Sequence, residues 1–154
     1  IGNATVEAGN VSGELRPTGM FVQTNSEINI KNITFDGSTA FSNDADSYPQ
    51  GILTSSSYNP TVNINDCVFN NLHMGVYFNP DASGTIEKNE FYDNEYSAIG
   101  IAGTGSVDIT DNTIEDTDSS TDGDIGLEIF NSNVSWDGNT FKNISTNIDD
   151  NSSN

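Results

Sequence analysis

The chain repeats one short frame five times, and such a repeat limits the fold before charge or composition is considered. The copies run Ile28–Phe35, Val62–Phe69, Gly84–Phe91, Val107–Ile114 and Val134–Phe141. In each, an anchor (Ile30, Ile64, Ile86, Ile109, Trp136) is followed five places later by a bulky apolar residue. The anchors are spaced by 34, 22, 23 and 27 residues, which suits one coil of a solenoid. A unit of that size buries its apolar face only against its neighbours. Leucine-rich repeats share this period, but the Leu-x-x-Leu-x-Leu signature and helical periodicity are both missing.

Within a copy the alternation has period two, the mark of a strand with one buried face. Ile28, Val62, Gly84, Val107 and Val134 precede the anchors by two places, giving a first strand. A polar corner follows at Asn32, Asp66, Lys88, Asp111 and Gly138. The second strand turns in Ile33, Cys67, Asn89, Asn112 and Asn139, then Phe35, Phe69, Phe91, Ile114 and Phe141. A third strand starts at Gly19, Gly51, Gly75, Ala98 and Gly126, with Met20, Ile52, Val76, Ile99 and Leu127 inward. The expectation is an all-β, single-stranded, right-handed parallel β-helix with three strands per coil and about five to six coils. One domain spans 1–154: a degenerate first coil at 1–18, regular coils at 19–144 and a polar tail at 145–154, where Ile148 offers a start for a last third strand. Val6, 24 residues before Ile30, places the degenerate copy's anchor in the first strand.

Asn89, Asn112 and Asn139 share one inward corner in successive coils, so their amides are expected to stack and satisfy one another. Cys67 occupies the same position and reads as a small buried hydrophobe. Insertions at 36–50 and 115–125 lengthen the same corner, between second and third strands, and project on one side of the rod.

With 23 acidic residues against four basic ones (Arg16, Lys31, Lys88, Lys142), the formal charge is −19. Such a surface repels phosphate backbones and excludes nucleic acid as a partner. No apolar run is long enough to span a bilayer, so membrane insertion is not expected. The first residue is Ile rather than Met, which fits a processed product or an excised domain. The Asn, Ser, Thr and Gly content suits an extracellular or cell-surface solenoid, whose corners need turn residues. Sequons for glycosylation occur at Asn3, Asn10, Asn32, Asn133, Asn143 and Asn151.

Three groups carry candidate chemistry. Glu87 and Asp108 face outward on neighbouring coils, about 8 Å apart between Cα atoms from strand and coil spacings, a separation at which two carboxylates can share a glycoside. No cluster of basic, aromatic and acidic residues converges there, and the reading leans away from catalysis. Asp116, Asp118, Asp122 and Asp124 alternate with hydroxyls and a glycine, the ligand type for calcium. Phe21, Leu53 and Tyr77 stack at the outward centre of the third strand, followed by Gly100 and Glu128, and suggest an interaction surface. His73 has no identifiable partner and reads as a loop residue.

The motif Ile-x-x-Asn-x-Phe, as in Ile86–Phe91, and its Trp136–Phe141 variant resemble the parallel β-helix repeat of the pectate-lyase-like superfamily over residues 19–141. That resemblance implies the architecture; the superfamily spans lyases, hydrolases, epimerases, tailspikes and adhesin-like surface proteins. Its pectate lyases are expected to carry a catalytic Arg beside calcium-binding Asp residues, whereas the sole Arg here, Arg16, precedes the first clear coil. Of the polygalacturonase motifs only Asp149-Asp150 has a counterpart, out of context. The expected function is a non-catalytic extracellular module, adhesin-like or surface-structural, which self-associates through its coil ends as a filament protomer or meets other surface proteins. The alternative is a carbohydrate-active or carbohydrate-binding β-helix acting on uronate-rich polysaccharides.

Overall fold

In the computed structural model, residues 4–7, 18–38, 48–103, 105–117, 124–130 and 133–152 are described, the first four by backbone alone. Three parallel sheets wrap around one interior. The first-strand sheet comprises β3 (Glu27–Lys31), β6 (Thr61–Asn65), β9 (Ser83–Glu87), β12 (Val107–Thr110) and β15 (Val134–Ser135). The second-strand sheet comprises β1 (Ala4–Glu7), β4 (Ile33–Asp36), β7 (Val68–Asn70), β10 (Glu90–Tyr92), β13 (Thr113–Glu115) and β16 (Thr140–Lys142). The third comprises β2 (Thr18–Val22), β5 (Gln50–Thr54), β8 (Met74–Phe78), β11 (Ser97–Ile101), β14 (Ile125–Ile129) and β17 (Thr146–Asp150). Among the described residues no helix is long and apolar enough to cross a membrane.

From Ile30 to Trp136 the stack makes about four turns, somewhat fewer than the five to six coils expected. β1 and β2 extend two sheets, and among the described residues no first-sheet strand lies beside them. The register of β1 also differs from expectation: Val6 pairs with Phe35 of the second sheet, not with Ile30. Its period-two pattern fits either sheet, and spacing alone chose the wrong one. At the other end, β17 lies within the segment read as a polar tail, and Ile148 pairs with Leu127 and packs on the core.

The corner between first and second strands sets the coil. Asn32, Asp66, Lys88 and Asp111 take φ values of 57°, 51°, 56° and 56°, and Gly138 takes 72°. One left-handed residue reverses the chain direction within two positions, so the next residue points inward. There the asparagines form a ladder. Asn112 Oδ1 accepts from the Asn89 backbone N–H at 2.9 Å and from Asn89 Nδ2 at 3.0 Å. Asn139 Oδ1 receives the same pair from Asn112, and the Cys67 N–H donates to Asn89 Oδ1 at 2.9 Å. The second amide hydrogens reach Ile64, Ile86 and Ile109 carbonyls. Cys67 is buried, which pushes its thiol up from the ordinary value.

Beside the ladder, Phe35, Phe69 and Phe91 stack with centroids 5.0 and 4.7 Å apart and near-parallel rings. The stack explains the small residues that start the third strand. A Cβ on Gly75 would lie 2.7 Å from Phe91 Cδ1, one on Gly51 2.9 Å from Phe69 Cδ1, and one on Gly126 2.5 Å from Phe141 Cε1. In the copy where Ile114 replaces the ring, the equivalent residue is Ala98. The two substitutions compensate each other in volume.

Two outcomes are expected in urea unfolding. Asn112→Ala strands the Asn89 N–H and the Ile86 carbonyl and lowers stability by about 3 kcal/mol. Ile114→Phe costs about 1–3 kcal/mol by overpacking against the Ala98 methyl, and adding Ala98→Gly restores most of it. If the two changes prove additive, the pairing of ring with glycine is wrong.

Candidate functional site

Glu87 and Asp108 occupy the outward face of the first-strand sheet, but in register Glu87 lies across from Thr110 and Asp108 from Thr85. Each has a different partner. Lys88 Nζ pairs with Glu87, and the Ser135 hydroxyl donates to Asp108 at 2.6 Å. The two carboxylates are thus diagonal neighbours on adjacent strands, each with a partner of its own. Around them Asn29, Asn63 and Thr85 link rung to rung through side-chain hydrogen bonds of 3.1 and 3.3 Å, a polar lattice along the rod.

Of the acidic loop, Asp118 and Asp122 lie outside the described residues. Asp116 and Asp124, at its two ends, are both buried. Among the described residues no group of three or more His, Cys, Asp or Glu side chains is arranged to hold a metal ion. Asn3 and Asn10 also lie outside the described residues. Asn133 and Asn143 are exposed, and Asn32 and Asn151 half-buried. Asn143 Nδ2 donates to the Asp116 carbonyl at 3.0 Å.

The outward face of the third sheet gathers more. Phe21 pairs with Leu53, Leu53 with Tyr77, Tyr77 with Gly100, Gly100 with Glu128 and Glu128 with Asp149, one residue per coil. The Cδ2–Cε2 edge of the Tyr77 ring covers Gly100, where an added Cβ would be 2.5 Å from Tyr77 Cδ2. Glycine is required here because the ring of one coil rests on the backbone of the next.

Along the leading edge of the same sheet, His73 stacks on Tyr96 at 5.2 Å and receives Tyr48 edge-on at 4.7 Å. His73 Nδ1 is 3.3 Å from Glu95 Oε2. His73 and Tyr96 immediately precede β8 and β11 and are aligned by the coil repeat, and Tyr48 lies two residues before β5. The reading of His73 as a partnerless loop residue is thereby corrected: its partners come from the two adjacent coils. Tyr96 then reaches back over the sheet, and its hydroxyl donates to Glu128 Oε1 at 2.9 Å.

This arrangement is electrostatically one-sided. Glu128 is buried at 6% exposure, and Phe21, Tyr48 and Tyr96 are exposed at 50, 40 and 40%. The described lysines sit elsewhere: Lys31 with Asp66, Lys88 with Glu87 and Lys142 with Glu115. The hydrogen bond to Glu128 holds the Tyr96 phenol above its ordinary value, while burial first and Glu128 second do so for Tyr77. Both phenols thus remain donors through neutral and mildly alkaline pH. Glu128 belongs to the column expected from sequence, whereas Tyr48, His73, Glu95 and Tyr96 are not marked there as part of a site. The signal was the position just before each third strand, read from the coil register rather than from local motifs.

Residues 50–154 match the family model described as a right handed beta helix region. No curated protein and no solved structure matches the chain.

A spectrophotometric titration checks the electrostatics. The folded phenols of Tyr77, Tyr92 and Tyr96 are all raised, so the folded state holds their protons above the pH where the unfolded chain releases them. Their contribution to stability is complete below about pH 10 and is lost as pH rises through the folded values. Glu128→Gln is expected to move the Tyr96 titration back toward the ordinary value; an unchanged curve would remove Glu128 as its cause.

Proposed function

We propose that this chain, which belongs to the right-handed β-helix family, is a non-catalytic extracellular module of the adhesin-like or surface-structural kind. In this reading the solenoid is a rigid scaffold and its third-sheet face is the recognition surface. The observation that carries the proposal is that face: exposed and half-buried aromatic rings in successive coils, with acidic groups and no described lysine among them. Glu87 pairs with Lys88 and Asp108 accepts from Ser135, and these separate partners favour a role without glycosidic chemistry. Incubation with a panel of polysaccharides is expected to yield no cleavage product. New reducing ends that disappear in Glu87→Gln or Asp108→Asn would establish the enzymatic reading instead.

Self-association belongs to the same proposal. Among the described residues β15, β16 and β17 each have one neighbouring strand, and Trp136, Phe141, Ile144 and Ile148 are half-buried around that rung. Unpaired edges over an incompletely covered apolar interior favour pairing with another rung. Sedimentation velocity is expected to show association that grows with concentration and is weakened by Ile148→Asp; a monomer at every concentration would eliminate the filament role. Calcium binding at the 115–125 corner is a further part of the proposal. It predicts a melting temperature raised by millimolar calcium and lowered by chelator.

A further inference from the structure

The third-sheet face constrains the chemistry of what it can hold, and the inference rests on its being the recognition surface. Strands β5, β8, β11 and β14 are each paired on both sides, so a ligand on this face meets side chains and no free backbone edge. An extended peptide gains most of its affinity for a sheet from main-chain pairing at such an edge, and here it would find none. A polymer of rings fits better, because its own repeat can meet a surface that repeats once per coil, about every 4.8 Å. Ring faces carrying C–H groups pack on aromatic side chains, and the half-buried Tyr77 ring stands on this face beside Gly100.

Charge then selects among ring polymers. Glu128 is already buried, with Asp149 on the next rung and Glu95 beside the His73–Tyr96 stack. Covering these carboxylates with a neutral ligand would strip more water from them without compensation. Covering them with a uronate polymer would add like charge. A ligand carrying ammonium groups offsets both costs: it pairs with the carboxylates and interacts with the phenol rings. Glu128 accepts one hydrogen bond from Tyr96, and a carboxylate has acceptor capacity beyond one donor.

We propose that the third-sheet face, built on Tyr77, Tyr96, Glu128, Glu95 and Asp149, binds an amine-bearing glycan laid along the solenoid axis. The ligand class is thus a polymer of free amino sugars, in place of the uronate-rich polymer of the alternative sequence reading.

Calorimetric titration of the full chain with short oligomers of β-1,4-linked glucosamine tests this, against the N-acetylated oligomer, oligogalacturonate and oligolysine. The glucosamine oligomer is expected to bind, with affinity falling as salt rises. N-acetylation weakens it about tenfold or more, and oligogalacturonate does not bind. Tyr77→Ala and Glu128→Gln each weaken binding about tenfold, while Tyr77→Phe, which keeps the ring over Gly100, retains it and serves as the folding control. Absence of glucosamine binding overturns the proposal. So does oligolysine binding of equal strength, which would assign the face to basic peptides, and so does binding unaffected by Tyr77→Ala and Glu128→Gln, which would be nonspecific attraction to a chain of charge −19. Cleavage of the glucosamine oligomer would overturn the non-catalytic reading while leaving the ligand class standing.

Discussion

The asparagine ladder at the first corner is the interaction on which the remaining structure depends. A left-handed residue turns the chain sharply, and the next side chain must enter an apolar interior together with backbone groups that cannot reach a regular sheet partner. Asparagine resolves this because one side chain carries both a donor and an acceptor. The Asn112 and Asn139 amide oxygens each take two hydrogen bonds from the preceding coil, the Asn89 oxygen takes one from Cys67, and each amide nitrogen returns one to a carbonyl. Coil-to-coil registration follows from that exchange. With the corner fixed, the phenylalanine stack, the anchor column and the third-sheet face all recur at the same position in every rung.

Recurrence also explains how weak local signals become a surface. Tyr48, His73 and Tyr96 are unremarkable residues 25 and 23 positions apart in sequence. The coil brings them edge to face and face to face within about one van der Waals contact of one another. The acidic groups behave likewise: Glu128 and Asp149 share a column because β14 and β17 are adjacent. Function in such a molecule is written across rungs, perpendicular to the chain.

The interior was legible because burial imposes a strict alternation. Ile30, Ile64, Ile86 and Ile109, the three phenylalanines and the asparagines could all be placed from spacing alone. Val6 could not, because an isolated alternating segment satisfies two sheets equally and its partner is decided only by pairing. The outward face was half legible. Phe21, Leu53 and Tyr77 fall inside strands, where the register is regular. His73 and Tyr96 stand just outside, where corner lengths vary and a pattern based on strands gives no alignment. The direction in which a long side chain such as Tyr96 leans is also set by its tertiary neighbours, here Glu128.

The pairing of Gly51 with Phe69, Gly75 with Phe91 and Gly126 with Phe141 has a consequence for how such a chain can lengthen. In each pair the glycine starts a third strand and the ring sits in the second strand that follows it. A duplicated or transplanted segment keeps both members only if it begins at the corner ahead of the third strand. A break anywhere between the two would set a foreign ring against an unmatched neighbour. The permissible joints for adding or removing a coil therefore fall at the same corner that holds the 36–50 and 115–125 insertions. The packing of the interior thus makes one corner of the solenoid the seam along which its length can evolve.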